Sequence, residues 1–263
     1  MELARLLLWI ESQSPATIAL ITFGLSYASA AVMFAFSRAV ASHRFATALK
    51  ATTPVLLTPL AVLIGLLIAF VASRIWGNYD RAEALVRDEA RAIQAALTLG
   101  ERLPPRIATE MRSAIQHYLQ FAIDEDWPAM LQGRAKMRAT IPGLTDATST
   151  ILSFAPTDAS QQLTQQRTLN ALEQAIDARR NRILLSNAFV APIQWIAIIV
   201  LAVLLLLIVA MVHIEQPLAK AMGLFILSTA IAVCTMLLLV NDRPFSAGGF
   251  SIGPDVLRQI QLN

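Results

Sequence analysis

Charge is what this sequence has least of. Asp, Glu, Lys and Arg make up 15% of its 263 residues, against the roughly 25% usual in soluble domains. With 56% hydrophobic residues there is too little polar surface to cover a water-soluble globule, so that class is excluded. Cysteine is almost missing. The lone Cys234 permits no intramolecular disulfide, and its place inside an apolar run suits a small buried hydrophobe rather than a reactive thiol. Histidine is scarce as well, and His43, His117 and His213 are scattered, so no His, Cys and carboxylate cluster arises at metal-ligand spacing. There is no nucleophile elbow, phosphate-binding glycine loop, dinucleotide fingerprint or zinc-protease motif. Ser, Thr and Asp are abundant, but no spacing sets a nucleophile beside a base. The chain is therefore expected to need no metal or cofactor and not to be an enzyme. Its net charge of +3 is spread along the chain, which gives nucleic-acid binding no support.

What is there is hydrocarbon. Four apolar windows, 15–37, 54–73, 190–212 and 218–240, each approach the twenty residues a helix needs to cross about 30 Å of bilayer core. The ionisable residue among them is Lys220, one turn inside the last, where a lysine is expected to snorkel to the interface. The reading is an all-α integral membrane protein whose four transmembrane helices form two hairpins, 15–73 and 190–240. A helical insert, 74–189, lies between them and a tail, 241–263, follows. Residues 1–14, with Leu3, Leu6, Leu7 and Ile10 at helical spacing beside Trp9, read as a short interfacial helix. The first span has too weak a basic flank for a cleaved signal, so an uncleaved anchor is expected.

With four crossings, the termini and the insert share one side. Arginines gather there, at positions 5, 74, 81, 87, 91, 179, 180, 182, 243 and 258, against Arg38, Arg44, Lys50 and Lys220 opposite. This bias favours a cytoplasmic insert and cytoplasmic termini, although the flanks of the first span alone point the other way.

Apolar residues in the insert recur at threes and fours. Val86, Ala90, Ile93 and Leu97 form one stripe, Ile107, Met111, Ile115, Tyr118 and Ala122 a second, and Leu169, Leu172, Ile176 and Ile183 a third. Between 127 and 161, Pro128, Gly133, Pro142, Gly143 and Pro156 predict shorter helices and turns. No strong breaker separates the second span from the first stripe, since Gly77 costs a helix only about 1 kcal/mol. One helix from Pro54 to Leu99, about 70 Å long, is expected. On the return path a helix starting near Asp158 is expected to enter the membrane and kink at Pro192.

Three constellations carry candidate chemistry. Asp124, Glu125 and Asp126 could hold a cation, but neighbours on a helix diverge by about 100° and no calcium-loop spacing follows, so a solvated or arginine-paired helix end is the better reading. Arg179, Arg180 and Arg182 precede the third span. They suit contact with anionic lipid, a clamp onto Asp88 and Glu89 at the matching height on the preceding rod, or an anion-attracting vestibule. On the second span, Leu63, Leu67 and Phe70 make an apolar face. It is a packing face in one copy, and in a ring of copies a constriction that gates by dewetting.

The stretches GLLIAFVASRIWGNYDRAEALVRDEARAI, IQHYLQFAIDEDWPAM, ARRNRILLSNAFVAPIQWIAIIV and DRPFSAGGFSIGP together resemble the bestrophin-like family of uncharacterised bacterial four-span proteins, over roughly residues 54–257. The last stretch looks like that family's closing signature, carried by Asp242, Pro244 and Phe245. There Asp242 is placed to cap backbone amides or pair with an arginine, and Phe245 to anchor the chain at the membrane surface. Bestrophins are pentameric anion channels with the second helix along the pore. The resemblance thus implies a homo-oligomer in the bacterial inner membrane, a pentamer by analogy, that passes small inorganic anions such as chloride. The chain departs from bestrophins in an apolar neck of leucine and isoleucine with Phe70 alone, and in lacking a calcium clasp. The competing expectation is a non-conducting scaffold or sensory subunit that binds a partner through the insert.

Overall fold

The computed structural model describes residues 9–10, 13–39, 43–245 and 251–260. Its helices are α1 (Pro15–Ala39), α2 (His43–Gly100), α3 (Pro105–Phe121), a π-helical turn (Ala122–Asp126), α4 (Trp127–Leu131), α5 (Leu144–Ser153), α6 (Ala159–Ser186), α7 (Pro192–Val212), α8 (Pro217–Asn241) and α9 (Asp255–Arg258). No strand occurs among the described residues. Four of the helices, α1, α2, α7 and α8, are long and apolar enough to cross a membrane. The protein is an all-helical, multi-pass membrane protein. The expected interfacial helix at 1–14 falls mostly outside the described residues.

The chain divides into two compact units, Met1–Gly77 with Phe189–Asp242, and Asn78–Ala188 with Arg243–Asn263. In the first, α1, α7 and α8 pack pairwise, and α2 joins them through Ile64 against Ala202 and Leu205, and through Val71 and Ile75 against Ile18, Trp195, Leu238 and Leu239. Several polar groups inside this unit are satisfied locally, as a hydrocarbon environment demands, while the buried Trp195 Nε1 has no hydrogen-bond partner among the described residues. The Tyr27 hydroxyl lies 3.0 Å from the Thr229 hydroxyl, and its ring stacks on Phe225 at 5.5 Å. Lys220 is buried against the protein, its Nζ donates to Ser37 Oγ at 3.0 Å near the end of α1 and lies 4.7 Å from the centre of the Phe34 ring. Cys234 is half-buried.

Continuity of α2 through Gly77 agrees with the lack of a breaker there. The helix also begins earlier than expected, at His43, so much of the supposed 38–53 loop is helical. It runs through Pro54 and Pro59, whose missing N–H groups a membrane helix tolerates better than an exposed one. The return path differs from expectation. Instead of one kinked helix, α6 ends at Ser186 and α7 starts afresh with Pro192 in its first turn. A proline at that point has no N–H to donate, and inside a continuing helix its ring would clash with the carbonyl four residues back. Asp158 caps the start of α6, its Oδ1 accepting from the Gln161 amide at 2.8 Å.

The second unit is a helical core. All members of the first predicted stripe, and Met111, Ile115, Tyr118 and Ala122 of the second, are buried in it. Gly143 opens α5 with φ +77°, where a Cβ would collide with the Ala114 carbonyl oxygen and the Tyr118 backbone nitrogen. That close approach lets α5 pack on α3.

Candidate functional site

The second unit buries an ionic cluster. Arg182 on α6 grips Glu89 on α2 side-on, with Nε to Oε2 at 2.7 Å and Nη2 to Oε1 at 3.0 Å. Neither side chain is exposed at all. One helical turn earlier Arg179 grips Asp126 in the same bidentate way, at 2.8 and 3.0 Å. The two pairs are fused, because Arg182 Nη2 also lies 3.9 Å from Asp126 Oδ2. The Tyr118 hydroxyl donates to Glu89 Oε1. Aromatic and sulfur groups complete the shell: the Arg182 guanidinium sits 4.6 Å from the Trp127 ring centre and donates from Nη1 to Met130 Sδ at 3.3 Å. Two cations thus meet two carboxylates with no solvent between them, the arrangement in which buried charge is tolerated.

Its electrostatics follow from that enclosure. Burial pushes the Tyr118 hydroxyl well above its ordinary range, and the neighbouring Glu89 carboxylate adds to the effect, while the two arginines oppose it. Burial, the largest single influence, would lower the Arg182 guanidinium, but Glu89 through its charge and hydrogen bonds, together with Tyr118 and Asp126, outweighs it and holds the group above its usual value. Tyr118 is therefore a fixed neutral donor and Arg182 a fixed cation.

Each candidate residue can now be placed. Of the clamp residues, Glu89, Arg179 and Arg182 meet inside the cluster, whereas Arg180 is exposed and Asp88 turns outward to pair with Arg91 at 3.2 Å. Sequence spacing did not single out Asp126 as the partner of Arg179, nor Tyr118 as anything but a core residue. The acidic triplet is divided: Glu125 takes Arg138 at 3.2 Å and Asp126 is buried. The π-helical turn does this by inserting an extra residue into the helical spiral, which rotates Asp126 inward.

The closing signature also splits. Asp242 is buried and accepts from the Val190 amide, at 3.0 Å to Oδ1 and 3.3 Å to Oδ2, in the gap before α7. Pro244 offers its carbonyl to the Ile252 amide at 3.0 Å, and Phe245 meets the edge of Trp127 with ring centres 5.9 Å apart. Trp127 Nε1 donates to the Ile252 carbonyl at 3.2 Å. Phe245 is thus a core residue of the second unit, not an anchor on a membrane surface.

On α2, Leu63 and Phe70 are exposed at 52% and 63%, while Leu67 is half-buried against the core of the first unit. Between and beyond them the exposed face carries Gly65, Ala69 and Ser73 at steps of four residues.

Four helices long and apolar enough to cross a membrane define a class, the multi-pass helical membrane proteins. Within it the assignment is specific: the bestrophin-like domain matches residues 24–257, so the chain belongs to the bestrophin-like family. No curated protein and no solved structure gives a match to it.

Proposed function

We propose that the protein is a homo-oligomeric ion channel of the bacterial inner membrane that passes small inorganic anions along a path lined by α2. Family membership supports the channel class. The observation that carries the reading further is the free face of α2. Small residues at Gly65, Ala69 and Ser73 let copies approach closely, and Leu63 and Phe70 accompany that stripe. In a ring, a pentamer by analogy with bestrophins, such side chains would form a constriction with few coordinating groups. It would conduct only when wide enough to stay wet.

Anion preference then has to come from charge at the mouths. Arg179 and Arg182 are neutralised by their carboxylates inside the fold, so in this reading the attracting charge falls to exposed Arg74 and Arg180. The insert and termini face the cytoplasm, and no chemical step on the permeating ion is involved.

Single-channel recording of purified protein in planar bilayers tests this. Phe70→Ala is expected to raise unitary conductance, and a chloride gradient to give a reversal potential of anion sign. Absence of current from wild type and variant alike, together with a monomeric mass in mild detergent, would transfer the assignment to a non-conducting scaffold.

A further inference from the structure

Along the second unit, the part of α2 beyond Asn78 and the end of α6 run antiparallel, with Glu89 and Arg182 level. The two helices leave a surface groove of about 480 Å³, lined by Arg81, Ala84, Leu85, Asn181, Leu184, Leu185 and Ala188. Its chemistry is two-sided. The walls are leucine and alanine, with Leu184 exposed at 56%. The polar groups are one cation and one amide, Arg81 and Asn181, and among the described residues Arg81 has no carboxylate partner.

Position narrows the occupant. Arg81 follows the exposed Trp76, a residue suited to the bilayer interface, by five residues. That is about 7 Å of helix rise, within the roughly 5 to 8 Å that headgroups add to each face of the hydrocarbon core. At the other wall Ala188 stands just before the apolar window that opens α7. A soluble metabolite would gain nothing from the leucines. A neutral lipid would leave the cation unmatched.

We propose that this groove is a binding site for an anionic phospholipid of the adjoining leaflet. The phosphate takes the Arg81 guanidinium, whose long side chain can rise toward the Asn181 amide. The glycerol and first acyl carbons lie along Leu184, Leu185 and Ala188 and run back toward the hydrocarbon. Beyond Leu85 and Asn181 the groove changes character, lined by Asp88, Arg91, Gln174 and Asp177. Asp88 and Arg91 offset each other there, and Asp177 repels a second phosphate and sets the limit of the site. The inference does not depend on ion conduction and applies equally to a channel or a scaffold.

The test uses full-length protein purified in mild detergent, with phosphatidylglycerol and phosphatidylcholine of equal chain length as probes, read by native mass spectrometry. Wild type is expected to retain phosphatidylglycerol over phosphatidylcholine. Arg81→Gln should reduce that retention roughly five-fold, and Ala84→Phe, which fills the groove and leaves the cation, should reduce it too. Arg102→Gln, an exposed arginine elsewhere on the unit, should change nothing. Equal retention of the two lipids would overturn the proposal. So would an Arg102→Gln loss as large as that of Arg81→Gln. Protection of Leu184→Cys from thiol reagents in an oligomer stripped of lipid would assign the groove to a second copy of the chain and overturn it as well.

Discussion

Arg182 and Glu89 face each other through two parallel hydrogen bonds, 2.7 and 3.0 Å long, with no exposure on either side chain. The pair joins helices at positions ninety-three residues apart in sequence. Removing one partner leaves a buried charge without compensation. Glu89→Ala or Arg182→Ala is therefore expected to destabilise the second unit by about 3–5 kcal/mol. The double replacement Glu89→Leu with Arg182→Met should recover much of the loss. Thermal unfolding in detergent, run as a double-mutant cycle, measures the coupling. Strictly additive losses would mean the two residues do not act as a pair.

Tyr118 sets the alkaline limit of that cluster. Its folded-state pKa is raised above the ordinary 10.0, so the folded state holds the proton more tightly than the unfolded chain. The stability this contributes is complete below about pH 10 and is lost as pH rises through the folded pKa. Tyr118→Phe is expected to lower stability at pH 8 by about 1.5–3 kcal/mol, the cost of a hydrogen bond to a charged group. It should also flatten the decline above pH 10. An unchanged alkaline limb in denaturant titrations would show that the hydroxyl carries no such linkage.

Asp242 closes the break between α6 and α7. Its carboxylate accepts the Val190 amide at 3.0 Å, and both residues are buried. Asp242→Ala leaves that N–H unsatisfied, at an expected cost of about 1–3 kcal/mol, with faster hydrogen exchange at Val190. Asp242→Asn keeps an acceptor and should lose less. The reverse order of the two variants would contradict the capping role.

Trp127 ties the tail to the second unit through its Nε1 bond to the Ile252 carbonyl and its edge contact with Phe245. Phe245→Ala is expected to cost about 3–5 kcal/mol by opening a cavity in the core. Limited proteolysis should then cleave the segment after Pro244 several-fold faster than in wild type. Cleavage at the wild-type rate would show that the aromatic contact does not hold the tail.

Gly143 makes a simpler case. With φ at +77° and no room for a Cβ, Gly143→Ala combines backbone strain with a collision at α3. A loss of more than about 1 kcal/mol is expected, readable as a lower thermal midpoint. A neutral result would mean α5 can shift away from α3 at little cost.

Much of this architecture was already present in the order of the residues. Four apolar runs of spanning length set four membrane helices, because backbone groups in hydrocarbon must be satisfied within the segment. The three stripes at helical period set the faces that form the insert core, and the lack of a breaker at Gly77 set the continuity of α2. Pairing was a different matter. Asp88 and Glu89 are adjacent and equally charged, as are Arg179 and Arg180, yet one of each is buried and the other exposed. Which one turns inward depends on the rotation of each helix against its neighbour, fixed by the packing of residues far away in the chain. Asp126 is the sharpest instance. A regular helix places it by the 3.6-residue period, but the π-helical turn inserts one extra residue and changes its bearing. Periodicity can say that a carboxylate is close to the core, and only the folded chain decides that it meets Arg179 there.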